Sequence, residues 1–559
     1  MAICVSAPRP RRLCASFYAA FALVTPASAL ATTVSTSALE SIRVQRFALT
    51  GVVASTVSDC NDSGGPGSLR YLVAHAYAGE TIDVGGCTQI ALEGGIVTPY
   101  FAPLTINGGG HTTIVASAIE PAFGSLSDLT LANLTILGGS AVAVGMDGLK
   151  KGGAIVAAYG VTLLNSTISG GTAKGIGAKG GAIYAYGDVT LVNSTVTGAS
   201  AVNTGGCIYG KGSVILQHST VSECRADAYN YLGAYITASG GAIAAASVTL
   251  MQASQVIHGV AIGSPICVYG GYSGCYTVVP DTHAKGGGIA AGTLTCSDST
   301  IKGSYASSGY YDGITPGAGI QAFHTTLTRC SVVDNEPYGG AGIYVPPAGN
   351  AQIVESTITG NSSGIAGHSY VTITRSTVAG NQWYGLILDS GFAQILQSTI
   401  SGNFSGIVGS GNVVLASSTV TQNKYYGVSL TGNVEAQSSI IAKNSAAAQY
   451  TLPDLKLTGS LSGADNLVMA TNASPAPGVI TLTVDPLLLP LADNGGPTPT
   501  HALADNSPAI NKGDNTPNFA TDQRGTGFVR SFGRPDIGAY EWQVPGDEVF
   551  YGGFELLAR

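Results

Sequence analysis

The amino-acid sequence predicts an all-β fold, a right-handed, single-stranded parallel β-helix, and three observations carry the prediction. A near-identical unit recurs as Ser356-Thr-Ile-Thr-Gly-Asn361, Ser376-Thr-Val-Ala-Gly-Asn381, Ser398-Thr-Ile-Ser-Gly-Asn403 and Ser418-Thr-Val-Thr-Gln-Asn423, with starts 20, 22 and 20 residues apart. Within the units apolar and polar residues alternate with a period of two, as in Val371-Thr-Ile-Thr-Arg375, and Gly and Asn stand where the backbone must turn. A unit of short strands about 20 residues long cannot bury its own apolar face, so the copies must stack. Parallel crossovers are right-handed in nearly all proteins, which sets the hand.

From the N-terminus, residues 1–31 read as an export leader. Arg9, Arg11 and Arg12 accompany an apolar stretch from Leu13 to Val24, and Ala27-Ser-Ala29 or Ala29-Leu-Ala31 offers a cleavage site. That stretch is too short to cross a bilayer, and nothing later reads as a transmembrane helix, so the mature chain is expected to be secreted or held at the cell surface. A linker, 32–54, leads to an N-terminal cap and first coils, 55–110. There the turn-rich run from Asp59 to Arg70 enters an amphipathic helix from Leu69 to Ala78. Such a helix is placed to cover the open end of the solenoid, whose unpaired strand edge would template aggregation.

The repeat proper occupies 111–450, with centres at Thr135, Thr167, Thr195, Thr220, Gln255, Thr300, Ser331, Thr357, Thr377, Thr399, Thr419 and Ser439. At the spacing of hydrogen-bonded strands these coils make a rod on the order of 55 Å long. Asn335, Asn361, Asn381, Asn403 and Asn423 are expected to stack as a structural ladder, because Asn tolerates the left-handed turn conformation and its amide can bond its own copies. Three excursions, 225–240, 259–285 and 302–317, interrupt the same turn of successive coils and so project from one side. A capping region, 451–542, brings Leu487 to Leu491, Ile510, Ile537 and Tyr540 to pack on the last coil, with Asp522, Arg524, Asp536 and Glu541 as an ion-pair network. Residues 543–559 are an acidic-aromatic tail.

Only 10% of residues are charged, against 78 glycines, so solubility rests on neutral polar groups. A chain of this kind is neither a nucleic-acid binder nor a disordered polyelectrolyte. Its formal charge of -8 is too dilute over 559 residues to select a partner by net electrostatics. Without the leader's Cys4 and Cys14, the remaining cysteines are Cys60, Cys87, Cys207, Cys224, Cys267, Cys275, Cys296 and Cys330. An even number in an exported chain implies disulfides, and sequential pairing is the simplest arrangement. No CxxC or Cys/His cluster suggests a metal, and no cofactor is expected.

The Gly-Gly-Ala-Ile boxes at 152, 180 and 240, with Gly205-Gly-Cys-Ile and Gly286-Gly-Gly-Ile as variants, resemble the repeats of polymorphic outer-membrane proteins. The companion FxxN element of those repeats is replaced here by Ser-Thr-Ile/Val-x-Gly-Asn. The closing segment is similar to the terminal region of choice-of-anchor Q proteins through Asn494-Gly-Gly-Pro-Thr-Pro-Thr-His501, Ser507-Pro-Ala-Ile510, Thr521-Asp-Gln-Arg-Gly525 and Asp536-Ile-Gly-Ala-Tyr-Glu541, as is the Gly-Ser-Leu-Arg opening at 67–70. That resemblance frames 55–542 and implies an exported β-helix with a surface address and no established catalytic residues.

For function, the fold raises the prospect of a polysaccharide enzyme by analogy alone. Glycoside hydrolysis needs two facing carboxylates, and a lyase needs a base beside a charge-neutralising group. From Glu355 to Asn444 the charged positions Glu355, Arg375, Asp389, Lys424, Glu435 and Lys443 place no two carboxylates in register. The candidates for catalysis are therefore Asp281, His283 and Lys285 in the second excursion, with Lys151, Lys179 and Lys285 before Gly-Gly boxes as a potential basic row. A binding surface has more support. Tyr338 follows Asn335, Trp383 and Tyr384 follow Asn381, Phe404 follows Asn403, and Tyr425 and Tyr426 follow Asn423, which makes a strip of rings along one edge suited to stacking on sugars. The expected function is adhesion or glycan binding at the cell surface or in secreted form, without a cofactor and leaning away from catalysis. The alternative is a polysaccharide lyase or glycoside hydrolase.

Overall fold

Apolar side chains at every second position drive the coils together. The computed structural model describes residues 54–543 except 101, 142–150, 176, 229–236, 264–265, 270–274, 280–283, 308–316, 336–339, 445–453 and 532, and gives only the backbone of the strands Ile266–Tyr269 and Cys275–Val279. The leader, most of the linker and nearly all of the tail fall outside the described residues. The chain is a right-handed parallel β-helix in which 44 of the described strands join into one continuous sheet, so the repeat forms a single stack. Each regular coil has three strands, as in Ser363–Gly367, Tyr370–Thr374 and Thr377–Ala379. These contribute to what we call the first, second and third sheets. In the first, one inward row runs through Phe123, Ile155, Ile183, Ile289, Ile365, Leu386 and Leu455, all at 0% exposure. Burying such a side chain contributes about 1.5–3 kcal/mol, which offsets the entropy of ordering a Gly-rich chain.

At the N-terminal end the helix is shorter than expected, Leu69–Ala74, and is capped by Ser68, whose hydroxyl accepts from the Tyr71 N–H. Its Leu69 and Val73 are buried in the core. The third-sheet register runs through the expected centres as far as Thr419, and Gln89 and Thr113 add rungs upstream. The last expected centre is corrected by one residue, because Thr419 pairs with Ile440 and not with Ser439. Ser439 instead continues a row of buried serines. The Ser398 N–H donates to Ser418 Oγ and the Ser418 N–H to Ser439 Oγ, at 3.2 Å each, while each hydroxyl donates back to the carbonyl two residues earlier.

The asparagine ladder is continuous and buried. Each Oδ1 accepts both the backbone N–H and the Nδ2–H of the Asn one coil earlier, as for Asn361 on Asn381 (3.0 and 3.1 Å) and Asn381 on Asn403 (3.0 and 2.8 Å). Asn335 opens it and Asn423 passes it to Asn444, which donates to the buried Asp454. The expected left-handed asparagines are a correction. Positive φ belongs to the residue before each one, Asp334, Gly360, Gly380, Gly402 and Gln422, so the Asn is needed for its amide alone. The ladder also demands glycine opposite, since a Cβ on Gly406 would lie 2.9 Å from Asn423 Nδ2 and 2.4 Å from the Gly427 carbonyl oxygen.

Cys60–Cys87, Cys207–Cys224 and Cys296–Cys330 are bridged, with Cα–Cα distances of 5.5, 5.3 and 6.4 Å. The side chains of Cys267 and Cys275 lie outside the described residues.

The closing region packs on the last coils only in part through the leucine run: Leu487 and Leu489 are exposed, while Leu488, Ile510 and Tyr540 lie against the cluster formed there. Ile537, Leu503 and Ala509 form a small core with Ile440, Ala442 and Leu467. From there the segment lies along the outer side of the third sheet and clamps it. Thr498 donates to the Arg375 carbonyl at 3.1 Å, Thr377 to the Pro499 carbonyl at 2.6 Å, Thr399 to Gln523 Oε1 at 2.6 Å, and the Ala539 N–H to Thr419 Oγ1 at 3.0 Å. The outward threonines Thr377, Thr399 and Thr419 are therefore buried, whereas Thr167, Thr195 and Thr357 of earlier coils are only half-buried.

His501 is the pH-sensitive point of this clamp. It is buried, its Nδ1–H donates to the Leu489 carbonyl at 2.7 Å, and its Nε2 accepts from Ser401 at 2.8 Å. Burial pushes its pKa below the usual value. A folded-state pKa below the unfolded value of about 6.5 means that the contribution is complete above that pH and is lost as pH falls. Asp454 and Asp536, whose carboxyls burial raises, slope the other way. The melting temperature of His501→Gln should accordingly fall less than that of the natural chain between about pH 7.5 and 5.5. Parallel pH profiles for the two proteins would remove His501 from the account.

Candidate functional site: the outer face of the first sheet

The turn after the asparagine ladder delivers rings to the entry edge of the first sheet. Trp383, Phe404 and Tyr425 follow one another on successive coils, tied by the Tyr425 N–H donating to the Phe404 carbonyl at 2.7 Å. Trp383 and Phe404 meet edge to face with centroids 5.7 Å apart, and Phe404 and Tyr425 stack at 5.4 Å and 13°. Tyr426 crosses Tyr425 at 4.6 Å and carries the Lys456 ammonium 5.2 Å from its centroid. Tyr384 is half-buried in the strand beside them, and Tyr338 lies outside the described residues. The strip is thus not a row of open faces. Phe404 and Tyr425 spend faces on each other, and Trp383, 45% exposed, is the ring most open to a ligand.

Across the same coils the exit edge carries a second pair of rings. Tyr370, 68% exposed, pairs in register with Phe392, and their centroids are 6.3 Å apart. Between the two edges the outward positions Tyr344, Ala366, Ile387 and Val408 form a floor about one five-residue strand, or roughly 17 Å, wide. Beside it His368 Nε2 lies 3.2 Å from Asp389 Oδ2. Burial raises the Tyr344 phenol above its ordinary pKa, and the negative charge of Asp389 acts in the same direction. Sequence reasoning noted Asp389 only as an unpaired carboxylate and passed over His368, Tyr370 and Phe392. A signal was present, since aligning the strands on the paired residues Ile365 and Leu386 sets His368 beside Asp389.

Upstream, the first sheet carries a cluster of cations on rings. Tyr184 and Tyr209 stack at 5.2 Å and 12°, and Tyr186 meets Tyr184 edge to face at 5.3 Å. The Lys151 ammonium sits 5.0 Å from the Tyr184 centroid and 5.4 Å from that of Tyr186, Lys179 is 4.5 Å from Tyr209, and Lys211 is 5.2 Å from Tyr186. The expected basic row is broken. The register runs Lys151, Lys179, Thr204, Ser239, Lys285, so two neutral residues part Lys285 from the others. Asp281 and His283 lie outside the described residues, and Lys285 is exposed.

The excursions do leave from one line. Asp227, Ile262 and Ser307 are in register at the ends of their strands, and Ser239 pairs with Lys285 where the chain returns. Residues 225–227, 260–262 and 305–307, which open the expected excursions or fall inside them, are thus still paired strand. Beside the first departure a cavity of about 460 Å³ is lined by residues including Thr172, Lys174, Ser200 and Asp227. Among the described residues no group of three His, Cys, Asp or Glu side chains converges as a metal site would require.

Residues 317–454 match the family described as right handed beta helix region. Among solved structures, a periplasmic alginate epimerase is similar with a TM-score of 0.30 and 9% identity, covering 69% of this chain and 84% of its own. A pectate lyase reaches a TM-score of 0.24 and 12% identity over 89% of this chain and 98% of its own. An alginate lyase, in a complex structure, reaches 0.27 and 12% over 78% and 88%. At this level of similarity none of them bears on the role of any residue. No curated protein matches the chain.

Proposed function

We propose that this chain is an exported glycan-binding β-helix, secreted or displayed at the cell surface, that works in adhesion through the outer face of its first sheet. The observation that carries the reading is the pair of aromatic rims, Trp383 on one edge and Tyr370 with Phe392 on the other, flanking one strip of sheet over the same coils. Rings on two sides of a floor about one strand wide suit a sugar chain laid along the axis. The three bridges support passage through an oxidising compartment, and no described helix is long and apolar enough to cross a membrane. The leader at 1–31 and the choice-of-anchor Q resemblance of the closing motifs support surface sorting in the same way.

The test is a glycan array followed by equilibrium binding to the best ligand. Changing Trp383, Tyr370 and Phe392 to Ala together should weaken binding by about 0.5–1.5 kcal/mol per ring, with secondary structure retained. Unchanged affinity in the triple variant would make these rings packing residues only.

One observation favours a second reading, a polysaccharide lyase or hydrolase. His368 oriented by Asp389, with Tyr344 close by, has the composition of a general acid-base group. Incubation of the purified chain with acidic and neutral polysaccharides, read for unsaturated products and new reducing ends, separates the two. A binder yields neither, and products that vanish in His368→Gln would replace the binding proposal with the enzymatic one.

A further inference from the structure

We infer that the downstream end of the glycan strip is a subsite for a sugar bearing an anionic group, so that the ligand is a mostly neutral glycan with an acidic unit at its end or at wide intervals; this rests on the glycan-binding reading and names the ligand class of that same site. The outward file that floors the strip runs in register through Ala366, Ile387, Val408, Ser429 and Lys456. It is apolar over its first three positions and ends on an exposed ammonium. Lys456 Nζ lies 3.4 Å from the Tyr426 hydroxyl and 5.2 Å from the centre of its ring. A second exposed cation, Lys424, directly precedes Tyr425 on the entry edge, one rung earlier. Among the described residues neither lysine has a carboxylate partner. Asp454, two residues before Lys456, is buried and accepts from the Asn444 N–H and Nδ2–H at 2.7 and 3.0 Å, and Glu435 stands on the second sheet.

A ring face holds an ammonium without cancelling its charge. A chain laid along the floor therefore passes from apolar side chains to an unneutralised cation two rungs beyond Val408, about 10 Å along the axis. A wholly neutral chain offers Lys456 only a hydroxyl there, whereas a carboxylate or sulfate on the sugar makes the stronger, charge-assisted bond. The rest of the strip argues against a charge on every unit. From 356 to 423 the only Lys or Arg is Arg375, which lies on another turn and is bound to Glu355 at 2.8 Å. Asp389, 46% exposed, stands on the exit edge three rungs before Lys456, roughly 14 Å along the axis, and repels an anionic unit lying over Ile387. Its partner His368 offsets that charge only when protonated. Lysine is a point charge without the fork of arginine, so the subsite selects for charge rather than for one oxyanion geometry.

The full chain is assayed at about 50 and 300 mM NaCl against matched pairs, lactose with sialyllactose, xylohexaose without and with one glucuronosyl branch, and N-acetyllactosamine without and with a sulfate, and against polygalacturonate. In at least one pair the acidic member should bind about fivefold or more tighter than its neutral partner, should lose much of that advantage at the higher salt, and should exceed polygalacturonate in affinity per sugar unit. Which pair responds distinguishes carboxylate from sulfate. Lys424→Gln/Lys456→Gln should abolish the preference for the acidic member without a change in melting temperature, and Lys424→Arg/Lys456→Arg should keep it. A preference that is insensitive to salt or persists in the Gln pair overturns the inference, as does tightest binding of polygalacturonate. Equal binding of both members in every pair, weakened by the triple rim variant, overturns it while leaving the glycan-binding reading in place, and no binding to any glycan on an array removes both.

Discussion

Replacing Asp522 by Ala should cost about 3–5 kcal/mol and release the C-terminal clamp. Asp522 is fully buried, and its carboxylate takes Arg524 Nη2 at 2.6 Å, Arg524 Nε at 2.9 Å and the Glu541 N–H at 2.8 Å. The Arg524 guanidinium lies between the rings of Phe528 and Tyr540, 3.9 Å from each centroid. Nearby Arg530 Nη1 is 3.4 Å from Glu541 Oε2, and both are buried. Without Asp522 the Arg524 cation stays in a dry site without its partner, and that uncompensated charge outweighs the lost contacts. Because each coil of a solenoid contacts only its neighbours, the loss should appear first as local opening. Hydrogen exchange should therefore accelerate over 498–542 before the upstream coils respond. Protection of Gln523 and Glu541 equal to that of the natural chain would refute the clamp.

Asn381→Leu should destabilise by about 1–3 kcal/mol, the cost of leaving one buried donor unsatisfied. The Asn361 N–H would lose Asn381 Oδ1, whereas Asn361 Nδ2 would keep the Val332 and Thr359 carbonyls, and Asn403 Oδ1 would lose the side-chain donor at 2.8 Å. Leucine is larger than asparagine, so the effect would come from the polar groups and from overpacking and not from a cavity. A fall in the denaturant midpoint with no change in far-UV circular dichroism at low denaturant is the expected result. A midpoint within error of the natural chain would mean that the ladder contributes order and no stability.

Both predictions rest on groups visible in the sequence, yet only one was interpretable there. The asparagines recur with the repeat, so their alignment follows from counting. The acidic and basic residues of the closing segment were readable as a network, but their place on the flank was not. Gln523 meets Ser376 across 147 residues of sequence, and no local pattern reports a contact of that range. The same holds for His368 and Asp389. Either alone is an ordinary outward residue, and the pair exists only because their strands are adjacent and aligned through Ile365 and Leu386. The rings of Trp383, Phe404 and Tyr425 were expected to be open, and became partly closed because residues one rung apart are near enough to stack on each other.

What the sequence by itself determined is the coil: the two-residue alternation that separates inside from outside, the repeat of about 20 residues, and the glycines and asparagines of the turns. These are properties of neighbours along the chain or of one coil on the next, where a single repeat length decides which residues meet. What only the tertiary structure decided is which outward rows come together at the surface, namely the lysines on the tyrosines, the two aromatic rims and the clamp on the third sheet. The reason is that each depends on register summed over coils of unequal length and excursions, or on one segment folding back over a face that many sequences of the same pattern would leave bare.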